Sequence, residues 1–183
     1  MTAPTTEPAP DQGPDPDSGH AHQLTHVDAA GRAAMVDVSG KEVTRRVARA
    51  GAVLRVQPST ARLLADGGLP KGDAVAVARI AGIQAAKRTH ELIPLCHQLR
   101  LTRVDVAITV DADAGTATIV AEAAALDRTG VEMEALTAAT VAGLTLYDMV
   151  KAVERSAVLT DVRLLAKSGG ASGDFIRAQD PVA

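Results

Sequence analysis

Tryptophan is absent from this chain, and tyrosine and phenylalanine occur once each, so aromatic residues make up only 1% of it. A core without large rings must be filled by Ala, Val, Leu and Ile. Such elements pack closely but bury little apolar area apiece, which favours an oligomer over an isolated small domain. There is one cysteine, so no intrachain disulfide can form, and this usage suits a reducing cytoplasm. No apolar run reaches the roughly 18 residues of a membrane span. The N-terminus lacks the charged start and apolar stretch of a secretion signal. Positive charge is not in excess either. The formal net charge is −3, which argues against a nucleic-acid footprint but leaves room for a local basic pocket. What is there is 183 residues with 46% hydrophobic content, the size and composition of one domain with tails.

Residues 1–22 carry Pro4, Pro8, Pro10, Pro14 and Pro16 among Thr, Asp, Glu and Ser. Such a segment cannot bury enough apolar surface to offset its ordering entropy, so a disordered tail is expected there. Residues 23–176 read as one α+β domain, and 177–183 as a frayed end. Met35–Val38 is a short extended piece. From Val43 to Val56, Ala48, Ala50, Ala52 and Leu54 alternate with Val47, Arg49, Val53 and Arg55, the pattern of a strand with one apolar face. Ser59 is placed to cap a short helix over 60–65. An Ala-rich helix follows from about Lys71 to Thr89, apolar on most sides. Pro94 then stops regular structure. Leu99–Val110 and Thr116–Leu126 alternate as two strands of a hairpin, with a register break near Thr102. Gly130–Glu154 reads as a second long helix and Val158–Ala166 as a last strand. Strand, helix, strand, strand, helix, strand is the order of a ferredoxin-like βαββαβ sandwich, an antiparallel sheet with its helices on one face. The open face of such a sheet is where subunits often meet.

Three constellations could carry chemistry. Lys71 opens the Ala-rich helix, whose far end leads into Leu95-Cys96-His97. Two adjacent metal-type ligands without a further cluster make a weak metal signal, so no metal site is read here. Glu132, Met133 and Glu134 start the second helix, where a pair of carboxylates most often just complements the helix dipole. Asp148 and Lys151 share a face of that helix at i,i+3, a spacing that is most often a weak surface contact. Glu134 and Asp148 are 14 positions apart. On a continuous helix that is about 21 Å, too far for one small-molecule pocket to touch both. Either they serve different purposes or the site is assembled between subunits.

The stretches LTHVDAAGRAAMVDVSGK (24–41), KGDAVAVARIAGIQAAKRT (71–89), LIPLCHQL (92–99), TGVEMEALTAAT (129–140), LYDMVKAVE (146–154) and VRLLAKSGGASGDF (162–175) together resemble the cyclic pyranopterin monophosphate synthase family of molybdenum cofactor biosynthesis. The resemblance covers about Leu24 to Phe175. It implies a ferredoxin-like fold and a hexamer built as a trimer of dimers, with the site at a subunit interface. It implies a phosphorus–oxygen lyase that converts 3′,8-cyclo-7,8-dihydroguanosine 5′-triphosphate to cyclic pyranopterin monophosphate and diphosphate. Carried over by motif, Asp148 and Lys151 match the catalytic acid–base pair and Lys71 a second essential lysine. Leu95, Cys96 and His97 match a substrate-binding turn, and Glu132, Met133 and Glu134 a second binding segment. Lys167 matches a phosphate contact. Two positions depart from the family pattern: Gln98 stands where a proline usually follows His97, and His90 where an aromatic residue is usual.

The residue types suit that chemistry. The substrate is a polyanion, so Lys71, Lys87, Arg88, Lys151 and Lys167 are candidate partners. Ring opening, ring closure and cyclic phosphate formation each move protons, which general acids and bases handle. A lysine crowded by other cations is expected to have a lowered pKa and to act as a base. No cofactor is implied, and Mg²⁺ travelling with the triphosphate is compatible with these steps. The partners implied are the nucleotide-derived substrate and further copies of the chain, with neither nucleic acid nor membrane. Two rival readings remain at this level, a non-catalytic oligomeric nucleotide-binding module and a metal-dependent hydrolase using His97 and the carboxylates.

Overall fold

The computed structural model describes residues 31–178. Among the described residues, every regular element lies in the unit Met35–Ala183. The expected tail over 1–22 falls outside the described residues, as does the end beyond 178.

Alternation builds the sheet. In β1 (Thr44–Arg55), Ala48, Ala50, Ala52 and Leu54 are buried to 1% exposure or less, while Arg49 and Arg55 point to solvent. β1 pairs antiparallel along its whole length with β3 (Thr116–Asp127), from Thr44 opposite Asp127 to Arg55 opposite Thr116. There Ala117, Ile119, Ala121, Ala123 and Ala125 continue the buried face. β2 (Leu101–Asp111) pairs with β3, and its register shifts between Leu101 and Arg103, where the sequence breaks its alternation. Thr102 Oγ1 donates to Ala124 O at 3.1 Å across that irregularity. β4 (Val158–Ser168) lies on the other side of β1, with two register shifts. The order is β2-β3-β1-β4-β5, all antiparallel, as the ferredoxin-like reading expects.

The edge strand β5 (Phe175–Ile176) was not legible in the sequence. Gly169, Gly170 and Gly173 take positive φ, which turns the chain back so that Phe175 pairs with Lys167. Arg177, read as part of a frayed end, donates its N–H to Leu165 O at 2.9 Å.

α2 (Ala74–Ala86) and α4 (Glu132–Val150) cover the alanine face. Asp73 caps α2, accepting the Ala76 N–H at 2.9 Å. The helix ends three residues earlier than its apolar pattern suggests. The Thr89 hydroxyl donates to Ala85 O, which also accepts the Arg88 N–H, and to Ala86 O, and so closes the last turn. A separate turn, α3 (Thr89–Leu92), follows. Nor is α2 buried on most sides in a single chain, for Val77 and Ile80 are exposed, as is Leu144 on α4. α1 (Pro58–Ala65) starts at Pro58 rather than after Ser59, because the fixed φ of proline suits the first helical position. No helix among the described residues is long and apolar enough to cross a membrane.

Small side chains let the layers approach closely, and Gly82 marks the close approach of α2 to α4. A Cβ there would lie 2.8 Å from Ala138 O and 3.2 Å from both Ala142 Cβ and Val106 Cγ2. Gly82→Ala would gain about 1 kcal/mol of helix propensity. Overpacking costs typically about 1–3 kcal/mol and should outweigh that gain. The variant should therefore melt below the wild type in a thermal unfolding scan. An equal or higher melting temperature would show that α2 and α4 can re-space freely.

Candidate active site

The candidate side chains gather at the two ends of α4. At its C-terminal end, Asp148 sits between two lysines. Lys151 caps the helix, and its Nζ lies 2.6 Å from Asp148 Oδ1. Lys71 arrives from the turn before α2, where Gly72 N–H bonds back to Leu69 O. Its Nζ donates to Asp148 Oδ2 and to Asp148 O, both at 2.7 Å. The three residues named in sequence thus meet across 77 positions of chain. Hydrogen bonds from Lys151 and then Lys71 pull the Asp148 carboxyl down to about 2. The same bond from Asp148 raises the Lys151 amine above its ordinary value. This corrects the expectation of a lysine lowered by neighbouring cations. The carboxylate stands between the amines and neutralises them, so in the resting protein Asp148 is ionised and Lys151 is charged.

The N-terminal end of α4 faces a different environment. Pro94 and Leu95 form a turn closed by Cys96 N–H donating to Ile93 O at 3.0 Å. Leu95, Cys96 and His97 are half-buried there. His97 Nε2–H donates to Val36 O at 2.8 Å, which fixes the ring. Glu134 is 4% exposed. Burial pushes its carboxyl up to about 7, and the nearby Glu132 carboxylate adds to the rise. Burial also raises the Cys96 thiol, helped by the charge of Glu134. A raised thiol is a poor nucleophile. Met133 is exposed at the same end.

Beside this end lies a hollow of about 600 Å³. Lys167 reaches it and pairs with Glu132 at 3.1 Å. Sequence reading found those two but missed Lys41, Arg46 and Arg128, which line the same hollow. Arg46 donates to Asp127 O, Arg128 O and Gly169 O at 3.2–3.4 Å. Arg128 Nε donates to Lys41 O at 3.0 Å. On β1, Arg46 looks like one more polar residue of an alternating strand, so nothing local marks it. Arg128-Thr129-Gly130 directly ahead of α4 was the available signal, a cation in the approach to a helix N-terminus. Lys87 and Arg88, suggested as anion partners, do not line this hollow but are exposed at the end of α2. Among the described residues, no group of three or more His, Cys, Asp or Glu is arranged to hold a metal ion.

The two ends do not meet within one chain. α4 is continuous from Glu132 to Val150, so Glu134 and Asp148 stand about 21 Å apart along it.

A family model described as MoaC matches residues 35–170. A cyclic pyranopterin monophosphate synthase of Rhodospirillum rubrum is 56% identical over 161 residues, covering 88% of this chain and 97% of that protein. The synthase of Streptomyces avermitilis is 54% identical over 169 residues, 92% of this chain and 98% of that one. The synthase of Chloroflexus aggregans is 53% identical over 162 residues, 88% and 98% respectively.

The elevated Glu134 carboxyl has a consequence for stability. Its pKa is about 7 in the fold against an ordinary 4.5. Stability from the neutral form is therefore fully present below 4.5 and lost as pH rises from there to about 7. Glu134→Gln stays neutral throughout. Its melting temperature relative to the wild type should be distinctly higher at about pH 8 than at about pH 5. A difference that does not change with pH would show that Glu134 titrates normally.

Proposed function

This chain belongs to the MoaC family, and on that premise we propose that it is a cyclic pyranopterin monophosphate synthase, which converts 3′,8-cyclo-7,8-dihydroguanosine 5′-triphosphate to the cyclic pyranopterin monophosphate with loss of diphosphate. The observation that carries the chemistry is the Lys71–Asp148–Lys151 cluster, with contacts of 2.6–2.7 Å. In reaction class this is a phosphorus–oxygen lyase acting by general acid–base steps in the cytoplasm.

The cation-lined hollow takes the triphosphate through Lys41, Arg46, Arg128 and Lys167. The Leu95–His97 turn and the Met133–Glu134 segment take the guanine-derived ring. A buried carboxyl suits that ring, whose edge offers neighbouring N–H donors. Opening the five-membered ring breaks a carbon–nitrogen bond and needs a proton on the departing nitrogen. Lys151 holds one at rest. The amine left behind is then the base for the sugar hydroxyl that attacks the innermost phosphorus. Diphosphate leaves as that bond breaks, and fixed cations stabilise its growing charge. Asp148 keeps the two lysines in place through the cycle. No step calls for a cofactor, and Mg²⁺ enters as a companion of the triphosphate.

Because α4 holds the hollow and the cluster about 21 Å apart, the cluster acting on a bound substrate belongs to a second copy. The exposed Val77, Ile80 and Leu144, and Leu126 and Ile176 on β3 and β5, support burial between copies. A hexamer, arranged as a trimer of dimers, satisfies both needs.

Incubating the protein with the cyclised guanosine triphosphate, with and without chelator, and assaying pyranopterin and diphosphate tests the reading. Product should form in both arms. Asp148→Asn, Lys71→Ala and Lys151→Ala should each lower turnover by about 10²-fold or more while mass and fold persist, since none is core. The lysine changes should also weaken binding. Binding without product would favour a nucleotide sensor, and loss of product with chelator a metal-dependent hydrolase. A fully active monomer in light scattering would sink the shared site.

A further inference from the structure

The acid–base cluster draws its lysines from two separate stretches of chain, and one buried carboxylate joins those stretches. Glu154 stands three positions beyond Lys151 and is 8% exposed. Its backbone N–H returns to Val150 O at 2.9 Å, so it is set firmly against the last turn of α4. Its side chain crosses to the start of α1. Oε2 accepts the Gln57 N–H at 2.9 Å, and Oε1 accepts the Ser156 hydroxyl at 3.1 Å. The Thr60 hydroxyl is a further hydrogen-bond partner. Gln57 is the N-cap of α1 and its own side chain makes no capping bond. Glu154 therefore provides, from the far side of the fold, an acceptor at the start of that helix. From this joint, α1 and the loop after it run through the buried Leu64 and Leu69 to Pro70 and Lys71.

Burial alone would push the Glu154 carboxyl up, but its hydrogen bonds from Gln57, Thr60 and Ser156 hold it below the ordinary range. A buried carboxylate satisfied by donors from separate segments makes a fixed joint between them. None of its partners belongs to the hollow at the other end of α4. Arg55 lines a shallow recess of about 380 Å³ beside Glu154 but pairs with Asp161 instead, at 3.3 Å.

We propose that Glu154 is a positioning residue for the acid–base cluster, holding the α1 limb that delivers Lys71 against the α4 end that carries Asp148 and Lys151. The inference rests on the catalytic assignment of that cluster. Lys71, Asp148 and Lys151 are each roughly half exposed, so little else packs around their side chains. Their mutual geometry depends on where their backbones sit, and a misplacement of about 1 Å in a reacting group can cost about 10²-fold in rate.

Glu154→Ala and Glu154→Gln in the full chain test this. Glu154→Ala should lower kcat at least about 10-fold, with KM changed less than about 3-fold, because the substrate hollow is remote from the joint. Glu154→Gln keeps an acceptor for the Gln57 N–H and should recover part of the loss. A readout independent of turnover is the titration of the Asp148 carboxyl, followed by carbon NMR. As Lys71 drifts away, that carboxyl should rise from about 2 toward the ordinary range. A folded Glu154→Ala protein with a lower melting temperature, but wild-type kcat and an unmoved Asp148 titration, would reduce Glu154 to a cap for α1 and overturn the proposal. Should Glu154→Ala fail to fold, Glu154→Gln and Ser156→Ala decide it by the same two readouts. No shift in either of them would overturn it. If the wild-type chain turns over no substrate, the functional assignment fails, while the Asp148 titration still judges the joint.

Discussion

α4 is an unbroken spacer of 19 residues, and the separation it imposes governs how the groups at its two ends can be used. A helix cannot fold its ends together, so the groups at Glu132–Glu134 and those at Asp148–Lys151 serve one substrate only if two chains share it. The spacer is held in place by close packing rather than by large side chains. Ala135, Ala138, Ala139 and Ala142 lie fully buried against the alanines of β1 and β3 and against α2 at Gly82. Each alanine removes little apolar area from water, so the arrangement relies on many short contacts at near-crystal density. That explains how a core almost free of aromatic residues positions charged groups to within a hydrogen bond.

Electrostatics separates the two ends by role. In the hollow, Arg46 is held by three carbonyls and Arg128 by one, all neutral acceptors. Their orientation is fixed while their charge stays available to an anion. At the cluster, Lys71 and Lys151 are held by a carboxylate, which offsets their charge and raises the Lys151 amine. The first arrangement suits binding a polyanion and the second suits moving a proton. Lys167 is intermediate, because its partner Glu132 is acidic, and a phosphate entering the hollow would compete for it. A chain of net charge −3 can therefore present a pocket in which Lys41, Arg46, Arg128 and Lys167 outnumber the carboxylates of Glu42 and Glu132.

Much of the fold was readable because its signals are local. The alternation of Ala48, Ala50, Ala52 and Leu54 marks β1, and the broken alternation at Thr102 marks the shift in β2. Asp148 and Lys151 announce their pairing by spacing alone. What could not be read depends on long-range closure. Lys71 meets Asp148 only because the turn before α2 and the end of α4 lie side by side. Glu154 looks like a surface residue after a helix until α1 is seen above it. Arg46 needs the β3–α4 turn and the Gly169 carbonyl to become part of a pocket. The split between α2 and α3 turns on one hydroxyl, Thr89, which helix periodicity cannot weigh. Resemblance named Lys71 and Lys167 in advance but was silent on Lys41, Arg46 and Arg128.

The two titrating regions are tuned in opposite senses, and that contrast orders the proposed chemistry. Asp148 and Lys151 stabilise each other's charged forms, so neither changes protonation easily near neutral pH. Glu134 is displaced the other way, to about 7, so both of its forms are accessible there. Hydrogen bonds from a ring edge rich in N–H donors would favour its carboxylate and draw its pKa down on binding. In the proposed complex, recognition would leave a fixed negative charge against the ring, while the cluster would bring its proton on Lys151. Environments that push titratable groups apart in this way separate a binding carboxyl from a proton donor. In the proposed reaction, Lys151 would give up its proton only as a ring nitrogen becomes basic while its carbon–nitrogen bond breaks, and the base required later would be made by that first step rather than carried by the resting protein.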